Sequence, residues 1–305
     1  MAKPIQDQAE GLRRMLVQDS VRIATVVSGI SGGGKTAAVI NLAAALTRSG
    51  KDVLVIDENA GANNIGGTLG LHAHRDLLDV VRRDKTLDEV VIPSPEGFRL
   101  LPAGRGMRVL GTLSPGDQAH LIDCFGRFAQ PIDVILIDAA PVRTSRLLSP
   151  AVSGHEIVVV ASSDPTSITA AYSMIKNING SQGGQQFRVL INQVAAEAEA
   201  QMIYDNIARV ASRYLAVSLD FLGFVPPDDK LRQSIRLGRS VIEGYPAAVS
   251  AIAFRRLAES VNRLPFRLSE DGEGRGLESF MQCLMQNSQN RLVSATAAKC
   301  QVNHV

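Results

Sequence analysis

A glycine-rich stretch between an apolar run and a helical pattern is the strongest constraint on how this chain can fold. The stretch reads GISGGGKT, from Gly29 to Thr36, and fits the pattern G-x-x-x-x-G-K-[ST]. It follows the β-branched run Val21–Gly29 and opens the segment KTAAVINLAAALTRSG, which has the apolar spacing of a helix. A strand, a glycine-rich turn and a helix in this order predict a phosphate-binding loop. A chance glycine-rich turn is the alternative interpretation.

The residue types in this loop suit a phosphate ligand. Glycines let successive backbone N–H groups curl around phosphate oxygens, and the helix N-terminus adds positive potential. The lysine, which is also a predicted catalytic residue, should meet the β- and γ-phosphates, and the threonine hydroxyl should bind Mg²⁺. The predicted nucleotide contacts in the loop are Gly29, Ser31, Gly32, Gly33, Gly34, Lys35, Thr36 and Ala37.

Further short apolar runs alternate with helical patterns along the chain. They are nearly continuous in Val, Ile and Leu, which is typical of strands that are buried on both faces of a parallel sheet. These runs are Val53–Asp57, Phe98–Leu101, Val134–Asp138, Glu156–Ala161, Arg188–Val194 and Leu219–Val225. Their alternation with helices predicts an α/β fold with a mostly parallel, doubly wound sheet of the P-loop NTPase type.

Two of these predicted strands end in an aspartate, Asp57 and Asp138. The carboxyl ends of parallel strands lie on the ligand side of such sheets. We therefore predict that Thr36, Asp57 and Asp138 bind Mg²⁺, with Asp138 as the Walker-B-type carboxylate that acts directly or through water. A helix cap at the strand-to-helix turn is the alternative role for each aspartate.

Composition and the segment boundaries in the sequence indicate the domain organisation and exclude some classes of partner. The 32 Lys and Arg against 30 Asp and Glu give a net charge of +2, so no direct nucleic-acid partner is expected. Three scattered cysteines, no signal peptide and no apolar run of about 20 residues favour a cytoplasmic location. The predicted segments are an N-terminal partner-binding segment at 1–20, a nucleotide-binding domain at 21–266, a linker at 267–276 and an amphipathic tail at 277–305.

Taken together, these motifs resemble those of the MinD/ParA family of deviant-Walker P-loop ATPases, and within it the FlhG/FleN flagellar-number regulators. Beyond the loop, the resemblance rests on VLVIDENAGANN, VILIDAAP, SSDPTSITAAYSMIK, VLINQV and LGFVPPDDKLRQSI. It implies ATP or ADP with Mg²⁺ as ligands. It also implies that Asn192 reads the adenine and that Val225 and Pro226 lie near the base.

The resemblance extends to the N-terminal segment DQAEGLR. It matches the DQAxxLR element of FlhG-type proteins, which contacts the signal-recognition-type GTPase FlhF. The residues that would make this contact are Asp7, Gln8, Ala9, Leu12 and Arg13. A helix that packs on its own domain is the alternative. Further partners implied by the resemblance are a flagellar transcription regulator or switch protein and a second copy of the chain in an ATP-dependent homodimer.

Two positions depart from the family pattern. The signature lysine of the family's loop KGGVGKT is replaced by Ile30, which cannot neutralise phosphate charge. The second aspartate of the family's Asp-x-Asp, which positions the attacking water, is replaced by Asn59, a weak catalytic candidate. The adjacent Glu58 should point the other way on an extended segment. We therefore expect nucleotide binding to be retained and ATP hydrolysis to be impaired.

The tail carries an apolar stripe at helical spacing, formed by Leu277, Phe280, Met281, Leu284 and Met285. The resemblance implies that such a helix contacts the inner face of the cell membrane, although few basic residues lie near it. Docking onto the protein's own surface is the alternative.

Three functions are compatible with these features. A nucleotide-binding regulator of flagellar number or placement is favoured by DQAEGLR. A MinD/ParA-type partition or septum-site ATPase is disfavoured by Ile30 and Asn59. A scaffold that does not bind nucleotide is the third.

Overall fold

Eight strands form one sheet in the part of the chain that the computed structural model describes, residues 21–61, 64–141, 145, 156–179, 186–215, 217–263 and 277–285. The strands are β1 (Arg22–Ser28), β2 (Val53–Asp57), β3 (Ile92–Pro93), β4 (Arg99–Pro102), β5 (Val134–Asp138), β6 (Glu156–Ser162), β7 (Gln186–Asn192) and β8 (Ser218–Val225). Their order is β3-β4-β2-β5-β1-β6-β7-β8, and all neighbours are parallel except β3 with β4. The predicted mostly parallel α/β sheet is confirmed.

The described helices lie between strands or, from Asp229 onward, after the last strand β8. They are α1 (Lys35–Arg48), α2 (Ile65–Thr68), α3 (Leu77–Val81), α4 (Leu87–Val90), α5 (Gly106–Val109), α6 (Pro115–Gly126), α7 (Pro165–Asn179), α8 (Glu197–Leu215), α9 (Asp229–Arg236), α10 (Val241–Gly244), α11 (Val249–Asn262) and α12 (277–285). A short 3₁₀ turn, Leu110–Thr112, follows α5. None of the described helices is long and apolar enough to cross a membrane.

The apolar runs are continuous because both faces of the sheet are covered. Successive side chains of a strand point to opposite faces, so Val53 and Val55 pack with α1 and α11 in one core layer. Leu54 and Ile56 pack into the other layer, together with α3, α6 and α12. Beyond β1, this second layer continues with α7 and α8.

The central strand β1 places the glycine-rich loop at the point where the strand order reverses. β1 lies between β5 and β6, and the chain leaves its carboxyl end directly into the loop. In open parallel sheets, such a point is where ligands bind. β2 and β5 end beside it, with Asp57 directly opposite Asp138 in the register of the two strands.

The apolar stripe of α12 is docked against the body of the protein. Phe280, Met281, Leu284 and Met285 are at most 2% exposed, and they pack in one cluster with Leu121 and Phe125 of α6. The partly buried Leu277 packs against the same cluster. For residues 277–285 this is the docked alternative, so a lipid contact of this stripe would require α12 to leave its site. The predicted partner-binding residues Asp7, Gln8, Ala9, Leu12 and Arg13 lie outside the described residues.

Candidate functional site

The glycine-rich loop connects the carboxyl end of β1 to the first turn of α1. Gly32 and Gly34 adopt positive φ angles of 80° and 85°, a conformation that strains any residue with a Cβ. The Ser28 hydroxyl donates to the carbonyl oxygen of Ile30 at 3.1 Å, which fixes the start of the loop. The loop then ends at Lys35 and Thr36, the first residues of α1. The predicted strand, loop and helix are therefore present in the predicted order.

Asn192 lies against this loop from the end of β7. Its Nδ2 donates to the Gly33 carbonyl oxygen at 3.1 Å. A Cβ added to Gly34 would lie 2.2 Å from the same Nδ2, so glycine is needed at this position for space as well as for backbone conformation. The side chain of Asn192 thus positions the loop, and its contact with an adenine remains a prediction.

The other two residues predicted near the base lie at the carboxyl end of β8. Val225 is buried, and its carbonyl oxygen accepts a hydrogen bond from the backbone N–H of Val194 at 3.3 Å. Pro226 lines a groove of about 550 Å³ between β8 and α11. Their contact with a base also remains a prediction.

The three predicted metal ligands converge beside the loop. Asp57 and Asp138 are buried at the ends of β2 and β5. The Thr36 hydroxyl donates to Oδ2 of Asp138 at 2.8 Å, and the Lys35 ammonium pairs with Oδ1 of the same carboxylate. The structure brings these three residues together at one edge of the sheet, whereas their binding of a metal remains a proposal.

Burial makes both carboxylates poor acids. It raises the pKa of Asp57 to about 6, and the nearby charge of Asp138 adds to this rise. Hydrogen bonds from Asn59 and from the Ile65 amide, the latter at 2.6 Å, oppose it. Burial also raises the pKa of Asp138, against the opposing effect of Lys35 and Thr36. Because folded Asp57 holds its proton more tightly than the unfolded chain does, its contribution to stability falls as the pH rises from 3.8 to about 6.

Asn59 contacts both carboxylates at once. Its Nδ2 lies 3.0 Å from Oδ1 of Asp57 and 3.1 Å from both Oδ2 and the carbonyl oxygen of Asp138. Its backbone N–H also donates to Oδ1 of Asp57 at 2.9 Å. The sequence identified Asn59 as a weakened water-positioning residue and gave no sign of these contacts.

Glu58 joins the ends of β2 and β5 in a different way. Its backbone N–H donates to the Asp138 carbonyl oxygen at 3.1 Å, and its buried carboxylate accepts from the Ala140 amide at 2.8 Å. The side chain therefore reaches the backbone beyond β5 rather than the two aspartates. The only signal in the sequence is an acidic residue directly after a buried strand.

Contacts with α10, which the sequence did not predict, also anchor α1. Asn41 donates from Nδ2 to the Ala37 carbonyl oxygen, and its Oδ1 accepts from the Val241 amide of α10, both at 2.7 Å. Near the end of α1, Arg48 pairs with Glu243 of α10. The single buried asparagine in an otherwise apolar stretch of helix was the available signal.

The donor set of the site fits a hard divalent cation. Thr36 offers a hydroxyl and the two aspartates offer carboxylate oxygens, which are the ligands that Mg²⁺ takes in proteins. Among the described residues, no group of three His, Cys, Asp or Glu side chains could hold a metal by itself. A cation here would therefore be completed by water or by phosphate oxygens of a ligand.

Comparison with known proteins shows what the chain is similar to. Residues 24–241 match the family model described as the CobQ/CobB/MinD/ParA nucleotide binding domain. The chain is 32% identical to the antiactivator FleN of Pseudomonas aeruginosa, over 90% of this chain and 98% of that protein. It is 27% identical to the flagellum site-determining protein YlxH of Helicobacter pylori, over 71% and 74%. Among solved structures, the septum site-determining protein MinD of Pyrococcus horikoshii, complexed with Mg-ADP, has a TM-score of 0.61 at 22% identity, with 80% of this chain and 96% of that one covered.

The contact between Asn192 and Gly34 predicts a specific pattern of stability changes. Gly50 has a similar φ of 82°, but no atom lies within 4 Å of its added Cβ, so Gly50→Ala isolates the backbone cost. We expect that cost to be about 1–2 kcal/mol in the free energy of unfolding. Gly34→Ala should lower the free energy of unfolding by more, because it adds the clash with Asn192. When Asn192→Ala is combined with Gly34→Ala, part of that loss should be recovered. Urea unfolding of the wild type and these three variants measures the losses. Equal losses for Gly34→Ala and Gly50→Ala would show that Asn192 does not press on the loop.

Proposed function

Because the chain belongs to the CobQ/CobB/MinD/ParA family of nucleotide-binding domains and is close to FleN and YlxH, we propose that it binds ATP and ADP with Mg²⁺ and regulates flagellar number or placement. The observation that carries the nucleotide part is the convergence of the loop, Lys35 and Thr36 on the buried Asp138. The flagellar part rests on the similarity to the two flagellar proteins and on the DQAEGLR segment.

We propose a task in nucleotide binding for each group of the site. The loop N–H groups and the Lys35 ammonium would hold the phosphates, which compete with Asp138 for the lysine. The Thr36 hydroxyl and the carboxylates of Asp57 and Asp138 would hold Mg²⁺, directly or through water. When bound, the cation neutralises phosphate charge. Asn192, Val225 and Pro226 are the residues proposed to face the adenine.

The proposed partners follow from segments on either side of the nucleotide-binding domain. Residues Asp7, Gln8, Ala9, Leu12 and Arg13 would contact an FlhF-type GTPase, and a flagellar transcription regulator or switch protein would be a further partner. We place the chain in the cytoplasm, where an ATP-dependent homodimer would form. Release of α12 would expose its apolar stripe for reversible contact with the inner face of the cell membrane.

The turnover proposed for this site is slow. Ile30 is partly buried and uncharged, so it brings no positive charge toward a phosphate on the partner copy of a dimer. Asn59 is held by the two aspartates and carries no negative charge. These two residues favour a nucleotide-dependent regulator over a partition or septum-site ATPase, which depends on steady turnover. A scaffold that does not bind nucleotide is distinguished by the binding measurement below.

Removal of the loop lysine tests nucleotide binding. Lys35→Ala should weaken the binding of Mg–ADP by about 1.5–3 kcal/mol, the contribution of hydrogen bonds to charged groups, which is roughly a tenfold to hundredfold rise in Kd. Isothermal titration calorimetry measures this, with circular dichroism to confirm that the variant is folded. The matched control is Lys176→Ala, which removes an exposed lysine from the last turn of α7. If the wild-type chain gives no heat at millimolar nucleotide, the proposal fails.

Substitution of Ile30 and Asn59 by the residues of the family pattern tests whether hydrolysis is slow. Loss of one preorganised charge or donor from a transition state lowers the rate about a hundredfold to a thousandfold. We expect wild-type turnover near background, little gain in Asn59→Asp, stronger ATP-dependent dimerisation in Ile30→Lys and the largest gain in the double variant. Steady-state phosphate release with saturating Mg–ATP measures these rates. Lys35→Ala added to the double variant is the control for the site, and a wild-type rate equal to that of the double variant would contradict the proposal.

A further inference from the structure

We propose that the carboxamide of Asn59 takes the place of a divalent cation between Asp57 and Asp138, so that this chain keeps its two metal-ligand carboxylates together without metal. The inference rests on the proposed function only in taking these two aspartates as ligands of Mg²⁺. It concerns the protein before nucleotide binds.

The geometry is that of a bridge between two acidic groups. Nδ2 of Asn59 has one carboxylate oxygen of Asp57 at 3.0 Å and one of Asp138 at 3.1 Å. The Asp138 carbonyl oxygen is a third acceptor, also at 3.1 Å. Ionised carboxylates and carbonyls only accept hydrogen bonds, so the group among them must be the NH₂ and not the amide oxygen. Its two hydrogens are enough to bond both aspartates at once.

The charge balance explains why a bridge is needed. Asp57 and Asp138 face each other across neighbouring strands, and both are buried. Like charges in such a position repel each other, and within the described residues the Lys35 ammonium pairs only with Asp138. A divalent cation at the proposed site would be a charged partner for Asp57. In this chain its Oδ1 instead accepts two hydrogen bonds from Asn59, one from the backbone and one from the side chain.

The backbone around Asn59 holds the amide in place. The two hydrogen bonds of Glu58, from its N–H to the Asp138 carbonyl and from the Ala140 amide to its carboxylate, fasten the segment to the end of β5. An aspartate at position 59 would instead place a third carboxylate among the first two. The mutual repulsion in such a cluster would favour a bound cation, which Asn59 makes unnecessary. A metal that arrives with nucleotide must therefore displace an amide that already occupies both carboxylates.

Thermal unfolding without nucleotide tests the proposal directly. At a pH of about 8, where free carboxylates are ionised, the melting temperature of the wild type should be the same in EDTA and in millimolar MgCl₂. Asn59→Asp should melt lower in EDTA and gain about 3 °C or more from MgCl₂. Asn59→Ala removes the bridge without adding charge, so it should also gain from MgCl₂, though less. Binding of Mn²⁺ observed by electron paramagnetic resonance should appear in Asn59→Asp and be absent from the wild type.

The matched control is Asn64→Asp in the same connection. The Asn64 side chain caps α2 by accepting from the Gly67 amide, a role that aspartate fills equally well, so this variant adds the same charge away from the two carboxylates. It should show no response to MgCl₂. An equal Mg²⁺ response of wild type and Asn59→Asp would overturn the proposal, as would the absence of a response in both Asn59 variants. Since no nucleotide is present, either result leaves the calorimetric test of nucleotide binding unaffected.

Discussion

The buried carboxylate of Asp138 is the group on which the arrangement of the site depends. It ends the fully buried strand β5, and it receives the Lys35 ammonium, the Thr36 hydroxyl and the Asn59 amide. Burial of a carboxylate is costly unless such partners compensate it, so the carboxylate draws together three segments that are far apart in sequence. The glycine-rich loop is thereby closed onto the sheet, and Asn192 completes the closure from β7.

Most of the fold could be predicted from the sequence because the parallel sheet leaves a clear pattern. The predicted strands at Val53–Asp57 and Val134–Asp138 have the observed limits, and the glycine-rich loop lies between strand and helix as expected. The two-residue strand Ile92–Pro93 was missed, because a strand this short has no periodicity to detect. For the tail, the apolar stripe alone could not distinguish lipid from the protein's own α6, since both bury the same side chains.

The residues of the site likewise fall into those that could be predicted from the sequence and those that could not. Lys35 and Thr36 could be singled out because the phosphate-loop motif assigns them roles, and the two aspartates because each ends a predicted strand; the binding roles of all four stay predictions. The contacts of Asn59, Glu58 and Asn41 were not found, because each is a single polar residue whose partner lies on a strand or helix distant in sequence. Only the register of β2 against β5 shows that Asn59 meets Asp138, and no local pattern encodes that register.

In this account, the groups that are bonded to Asp138 without ligand are the same groups that nucleotide and cation engage. A crystal structure with bound Mg–ADP is the most direct test of this claim. The account predicts phosphates in the loop, the Lys35 ammonium on a phosphate oxygen and Mg²⁺ beside Thr36. It also predicts that the Asn59 amide has moved away from at least one of the two aspartates. ADP bound elsewhere, or bound in the loop with Lys35 and Asn59 still on Asp138, would contradict it.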